Sequence, residues 1–285
     1  MSVERAFRPV VCVAAVFAIA VSVAQAQSKA SCSFTIFTLP SNPQIFVHGV
    51  NDYGTVVGQT NFGSGASPQF TAFVHYAGGG TTYWIPSGAV QSGFGDRNNS
   101  GTTVGWYLDS SNKVHPVQLT GSAVTPIPPP YRGRPDGINK YNSVIGSYLD
   151  DNGNWHAYKR YSDGKTIHLN FPGAAGTIAD GSNDSGTIVG TFFFSGSAAY
   201  GFIYHNGEWA KVQYPKAPES TELTGISNKG VIAGQGEAHA FLYEDGTFKD
   251  VVVPGYSGAI MGAISPSGLI AGMADNTHGF LGSCH

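Results

Sequence analysis

The sequence predicts an all-β fold, a six-bladed β-propeller of four-stranded blades closed by pairing of the N- and C-terminal segments in one shared blade. Three observations predict it. The composition is turn-rich and charge-poor, with 39 Gly, 16 Pro and 12% charged residues in 285, against roughly 7% Gly and about a quarter charged in an ordinary globular chain. One pattern, Gly-Ile-Asn followed by Ile-Val-Gly and then His-Ala-Phe, recurs along the chain. The final copy stops one strand short, and a segment near the N-terminus matches the missing piece.

Taken in order, residues 1–26 read as a secretory signal. Arg5 and Arg8 give a basic start, Val10 to Val23 is apolar, and Ala24-Gln25-Ala26 is a small-x-small cleavage site. The apolar run is shorter than the roughly 20 residues of a spanning helix. Pro9-Val10-Val11 ahead of Cys12 does not resemble a lipid-attachment site. Cleavage after Ala26 leaves residues 27–285 as one domain, expected to be secreted or periplasmic, monomeric and without membrane insertion.

The repeats follow. The first element appears as Gly49-Val50-Asn51 leading to Val56-Val57-Gly58. It returns at Gly137-Ile138-Asn139, Gly181-Ser182-Asn183 and Gly225-Ile226-Ser227, with weaker copies at Asp96-Arg97-Asn98 and Ala263-Ile264-Ser265. The closing glycines are Gly58, Gly105, Gly146, Gly190, Gly234 and Gly272, spaced by 38 to 47 residues. The 13 residues after Gly272 and the 27 from Cys32 through Gly58 together make a repeat of 40. A linear solenoid has no reason to split its last repeat across its ends, whereas a ring does.

Within one repeat the alternating segments number four, as in Glu222 to Ser227, Val231 to Gln235, His239 to Glu244 and Thr247 to Val253. Ser33 to Pro40 matches Thr247 to Pro254 and completes the last blade. The shared blade brings Cys32 and Cys284 onto neighbouring strands, so a disulfide is expected in an oxidising compartment. Two independent thiols are the alternative.

These elements resemble the bacterial extracellular repeats called HAF repeats, most clearly over Ile138 to Tyr158 and Ile226 to Tyr243. The resemblance implies export and a repeat fold. It implies no reaction and no catalytic residue. Copies two and six depart from it, with Asp96-Arg97 in place of Gly-Ile and Pro266 in a turn.

Candidate site residues fall into three groups. The connections between blades and the loops between second and third strands share one face, where Tyr131 and Trp155 offer flat apolar rings and Arg132 and Arg134 offer charge for a sugar or peptide. The position just before Gly-Ile-Asn lines the central channel and holds His48, Gly95, Asp136, Asp180, Thr224 and Gly262. With Asp96 and Arg97 alongside, Asp136 and Asp180 suit a polar ligand, a cation or an acid/base pair. Asp150, Asn152 and Asn154 alternate like calcium ligands, but Trp155 stands where such a loop needs Gly and Tyr161 where it needs Glu.

His115, His156, His239 and His278 begin third strands and read as hydrogen-bonding residues internal to their blades rather than as a shared metal site. A net charge of −3 argues against nucleic acid. The chain carries none of G-x-S-x-G, H-E-x-x-H, C-x-x-C or a phosphate-binding Gly-Lys loop, and no cofactor is expected beyond calcium at the Asp150 loop. The functional expectation is an exported binding module for a glycan or a protein. Its alternative is a propeller hydrolase or lyase that acts on a polysaccharide through Asp96, Asp136 and Asp180.

Overall fold

The computed structural model describes residues 28–41, 43–63, 69–128, 133–196, 198–237 and 239–285. Residues 1–26, read above as a signal, and the tip carrying Tyr131 and Arg132 lie outside these residues. The described chain is β-strand and turn, arranged as six sheets of successive antiparallel strands. Blade 1 runs through Gln44–Val50, Val56–Asn61, Phe70–His75 and Thr81–Trp84, and blades 2 to 5 repeat the plan.

Blade 6 takes Ile260–Ile264, Leu269–Met273 and His278–Cys284 from the C-terminus and its outermost strand, Cys32–Thr38, from the N-terminus. Cys32 pairs in register with Cys284, and the two form a disulfide. The expected closure is therefore present. One strand was not expected: Ser28–Lys29 adds a fifth, parallel strand to the outer edge of blade 5, opposite Lys249 and Asp250.

The packing explains why each part of the repeat has its residue type. In every blade the innermost strand carries a register shift opposite its neighbour, at His48, Gly95, Asp136, Asp180, Thr224 and Gly262. Such a bulge bends the strand and leaves one residue unpaired. It also pushes a backbone carbonyl against the second strand at the closing glycine. A Cβ at Gly58 would lie 1.9 Å from the Phe46 carbonyl oxygen, at Gly146 2.1 Å from that of Arg134, and at Gly190 2.1 Å from that of Ile178. Only glycine fits there.

Across from these glycines the third strand supplies the aromatic of His-Ala-Phe: Phe73 faces Gly58, Tyr158 faces Gly146, Phe202 faces Gly190, Phe241 faces Gly234 and Phe280 faces Gly272. All five rings are buried. Each covers the backbone that its glycine leaves bare, and burying such a side chain contributes about 1.5–3 kcal/mol.

The asparagine of Gly-Ile-Asn joins blade to blade. Asn98 Oδ1 accepts from the Thr102 amide and closes the turn after the inner strand. Its Nδ2 donates to the Asn139 carbonyl oxygen of blade 3 at 3.1 Å. Asn51 reaches Asn98, and Asn183 reaches Ser227, in the same way. Ser227 and Ser265 keep the turn-closing half of the role, with Oγ accepting from Val231 and Leu269.

Because Asn98 is buried, Asn98→Ala strands an amide and a carbonyl away from water. Equilibrium denaturation should show a loss of about 2 kcal/mol. An unchanged midpoint would show that water replaces both bonds.

Candidate functional site

All six bulge residues line one axial cavity of about 220 Å³. Glu222, Gln235, Ile260 and Met273 also line it. Glu222 pairs with Gln235, and Ile260 with Met273, at the ends of their hairpins remote from the tight turn. The cavity therefore lies toward the loop face, where the blade-to-blade connections and the second-to-third-strand loops gather. The bulge accounts for the side chains in it, because the unpaired residue is turned out of the ladder toward the axis.

His48 is exposed to the channel, Asp136 and Asp180 are half-buried, and the protein packed around the axis shifts the titration of all three. Burial pushes Asp136 up to about 7, although the Arg134 guanidinium and a hydrogen bond from the Ser147 amide act in the opposite direction. Asp180 is raised well above the ordinary carboxylate range, first by burial and then by the charges of Asp136 and Glu222. His48 is held down to about 4 by burial and by Arg134. Raised carboxyls at Asp136 and Asp180 beside the depressed imidazole of His48 make the cavity polar.

A sign follows for stability. A carboxylate whose folded value lies above its unfolded one near 3.8 stabilises the fold below about pH 4 and loses that contribution as pH rises to about 7. His48, depressed from 6.5 to about 4, acts oppositely as pH falls through that window. Asp136→Asn should therefore raise the Tm at pH 8 by about 2–4 °C, on the order of 1 kcal/mol, and leave it unchanged at pH 4. An equal change at both pH values would contradict the assigned burial of Asp136.

The candidate residues separate in space. His48, Asp136 and Asp180 meet in the cavity. Asp96 does not line it: Oδ2 accepts from the Ile138 amide of blade 3 and Oδ1 from the Arg97 amide. Burial pushes Asp96 up to about 7, against those two bonds. Arg97 donates to Thr103 Oγ1 within its own blade. Arg134 lies exposed at the start of its inner strand, with its guanidinium over the Trp106 ring at 4.3 Å.

Trp155 is half-buried at the start of the third strand of blade 3. Both Asp150 oxygens accept hydrogen bonds inside their own loop, Oδ1 from the Asn152 and Asn154 amides and Oδ2 from Asn154 Nδ2, with His156 Nε2 also against Oδ2. The same carboxylate–imidazole pairing recurs at Asp109–His115 and Asp275–His278, within single blades.

Sequence reasoning missed Glu222 and Gln235. Glu222 lies two residues before Thr224, so alternation along the strand was the available signal. Gln235 depends on register across the hairpin, which the sequence does not spell out.

No family model matches the chain, and no curated protein sequence does. Solved structures resemble it in fold. AofleA from Arthrobotrys oligospora superposes with a TM-score of 0.51 at 11% identity, over 87% of this chain and 84% of that one. TolB from Acinetobacter baumannii gives 0.53 at 12% identity, over 82% of this chain and 65% of that one. Similarity at this level concerns the fold alone.

Proposed function

We propose that the protein is an exported, monomeric binding module whose loop face recognises a glycan or a protein, with one group of the ligand entering the axial cavity. One observation carries this reading. The repeat is nearly uniform wherever the fold requires a residue type, at the closing glycines and the facing aromatics, yet the bulge positions around the cavity hold His48, Gly95, Asp136, Asp180, Thr224 and Gly262. A ring that served only as a spacer would have no need of three different polar side-chain types at its centre. Export is supported by the signal-like N-terminus, by the Cys32–Cys284 disulfide and by the resemblance to HAF repeats.

Thr224→Phe fills the cavity from an inner strand and tests the reading. A native-state ligand raises the Tm by mass action. In a panel of polysaccharides, oligosaccharides and peptides, at least one should raise the Tm of the wild type and leave that of Thr224→Phe unchanged. Responses that are identical in the two proteins would sink the cavity as the site.

A second reading, polysaccharide hydrolysis or elimination, draws on Asp136 and Asp180. They lie in adjacent blades, with Asp136 pushed up to about 7 and Asp180 raised by burial and then by neighbouring charge, the direction a general acid requires. It predicts new reducing ends or unsaturated products from a stabilising polysaccharide, abolished in Asp180→Asn. Binding without any product would leave the module reading alone.

A further inference from the structure

We infer that a groove between blades 4 and 5, on the face opposite the loop face, binds one pyranose ring of a neutral glycan. This site is separate from the axial cavity and does not rest on the reading above. The groove has a volume of about 440 Å³, within the roughly 300–1,000 Å³ usual for small-molecule sites. Its rims are tight turns, residues 183–187 of blade 4 on one side and residues 227–231 with Asp245 and Gly246 of blade 5 on the other.

Two other junctions show why this one is open. In blade 3 the residue after the facing aromatic of the third strand is Lys159, and its Nζ would lie 3.3 Å from a Cβ at Gly186 in the first tight turn of blade 4. In blade 6 it is Leu281, whose Cδ2 would lie 3.0 Å from a Cβ at Gly54 of blade 1. Blade 4 has Ile203 there, opposite Val189 as Lys159 is opposite Ile145. Branched at Cβ, it stops short of the gap: nothing lies within 4 Å of a Cβ at Gly230, the matching glycine of blade 5. Half-buried Ile203 and Tyr243 are left as an accessible apolar wall.

The polar rim decides the class. Lys229 brings an exposed ammonium and Asp245 an exposed carboxylate, and among the described residues neither forms an ion pair. Ser185 Oγ donates to Asn183 Oδ1 at 2.7 Å and keeps its lone pairs for a ligand. The Tyr243 hydroxyl offers a further donor and acceptor. A ligand that is only a cation or only an anion meets a charge of its own sign on this rim. Sugar hydroxyls both donate and accept, so a neutral sugar satisfies Lys229 and Asp245 together. The C–H face of its ring lies against Ile203 and the flat face of Tyr243.

Saturation-transfer NMR with the methyl pyranosides of glucose, galactose, mannose and xylose tests the inference on the oxidised protein, with alanine as a zwitterionic control. At least one pyranoside should receive saturation at its ring protons and bind at least tenfold more tightly than alanine. Ile203→Lys, which gives blade 4 the residue that blade 3 carries at this position, should abolish that binding while keeping a cooperative melt. Lys229→Ala and Asp245→Asn, both at exposed positions, should each weaken it at least fivefold. Thr224→Phe, in the axial cavity, should leave it unchanged.

Failure of all four pyranosides to bind, an alanine affinity equal to theirs, or wild-type affinity in both Lys229→Ala and Asp245→Asn overturns the site. Binding lost in Thr224→Phe but kept in Ile203→Lys would put the sugar at the loop face, sinking this inference and keeping the reading above. If the groove variants lose the sugar while the wild type and Thr224→Phe respond identically to the wider panel, the groove stands and the loop-face reading falls.

Discussion

Gly190→Ala is expected to cost about 3 kcal/mol or more, at the upper end of what overpacking does. The new Cβ would lie 2.1 Å from the Ile178 carbonyl oxygen and 3.0 Å from the Ala179 Cα, both in the bulged inner strand. Neither can retreat without moving that strand, and Ala179 is itself fully buried against blade 3. The facing ring of Phe202, with no exposed surface, blocks relief on the other side. Gly78→Ala is the control. Nothing lies within 4 Å of a Cβ there, and its denaturation midpoint should move by no more than about 0.5 kcal/mol. Similar losses in the two variants would contradict the clash with the bulged strand as the cause.

The second large effect belongs to the disulfide. Cys32 and Cys284 are 252 residues apart, so the bond constrains nearly the whole unfolded chain. Loop-closure entropy sets an upper value of about 5 kcal/mol. Cys32→Ser/Cys284→Ser should lower the Tm by on the order of 10 °C, and reduction of the wild type should do the same. The seven paired residues of Cys32–Thr38 and His278–Cys284, together with the aromatic contact between Phe34 and Phe280, remain to hold the shared blade. The double variant should therefore still fold. A Tm that does not respond would show that these pairings alone close the ring.

The ring was legible because repetition is a strong signal. Six closing glycines and one displaced strand left a closed propeller as the economical arrangement, and the cysteine pairing followed from it. Blade 5 has its strands within two residues of the expected ends. Ser28–Lys29 escaped because two residues carry no period, and their pairing is to a distant edge.

Blade 2 looked irregular since Asp96 and Arg97 replace Gly-Ile. The fold tolerates them because the Asp96 carboxylate binds the Ile138 amide of blade 3, while Gly49 leaves room beside it: a Cβ at Gly49 would come within 2.6 Å of Asp96. That exchange depends on the neighbouring blade. It is invisible along one strand.

The candidate site was legible in part for the same reason. The position before Gly-Ile-Asn marks the channel in every repeat, so His48, Asp136 and Asp180 could be placed together from their order alone. Asp96, one residue further along, could not be separated from them, because a bulge changes which side chain faces the axis.

The most direct test of a ligand site at the axial cavity is the imidazole signal of His48 in protein carrying 15N-labelled histidine. His48 should titrate near pH 4 in the free protein, below the ordinary histidine range. Oligosaccharides and peptides are then added in turn. At least one is expected to move the His48 resonances while those of His115, His156 and His278, each paired to a carboxylate within its own blade, hold still. A ligand that raises the Tm yet moves only those three, or a panel that leaves His48 untouched throughout, would contradict the account.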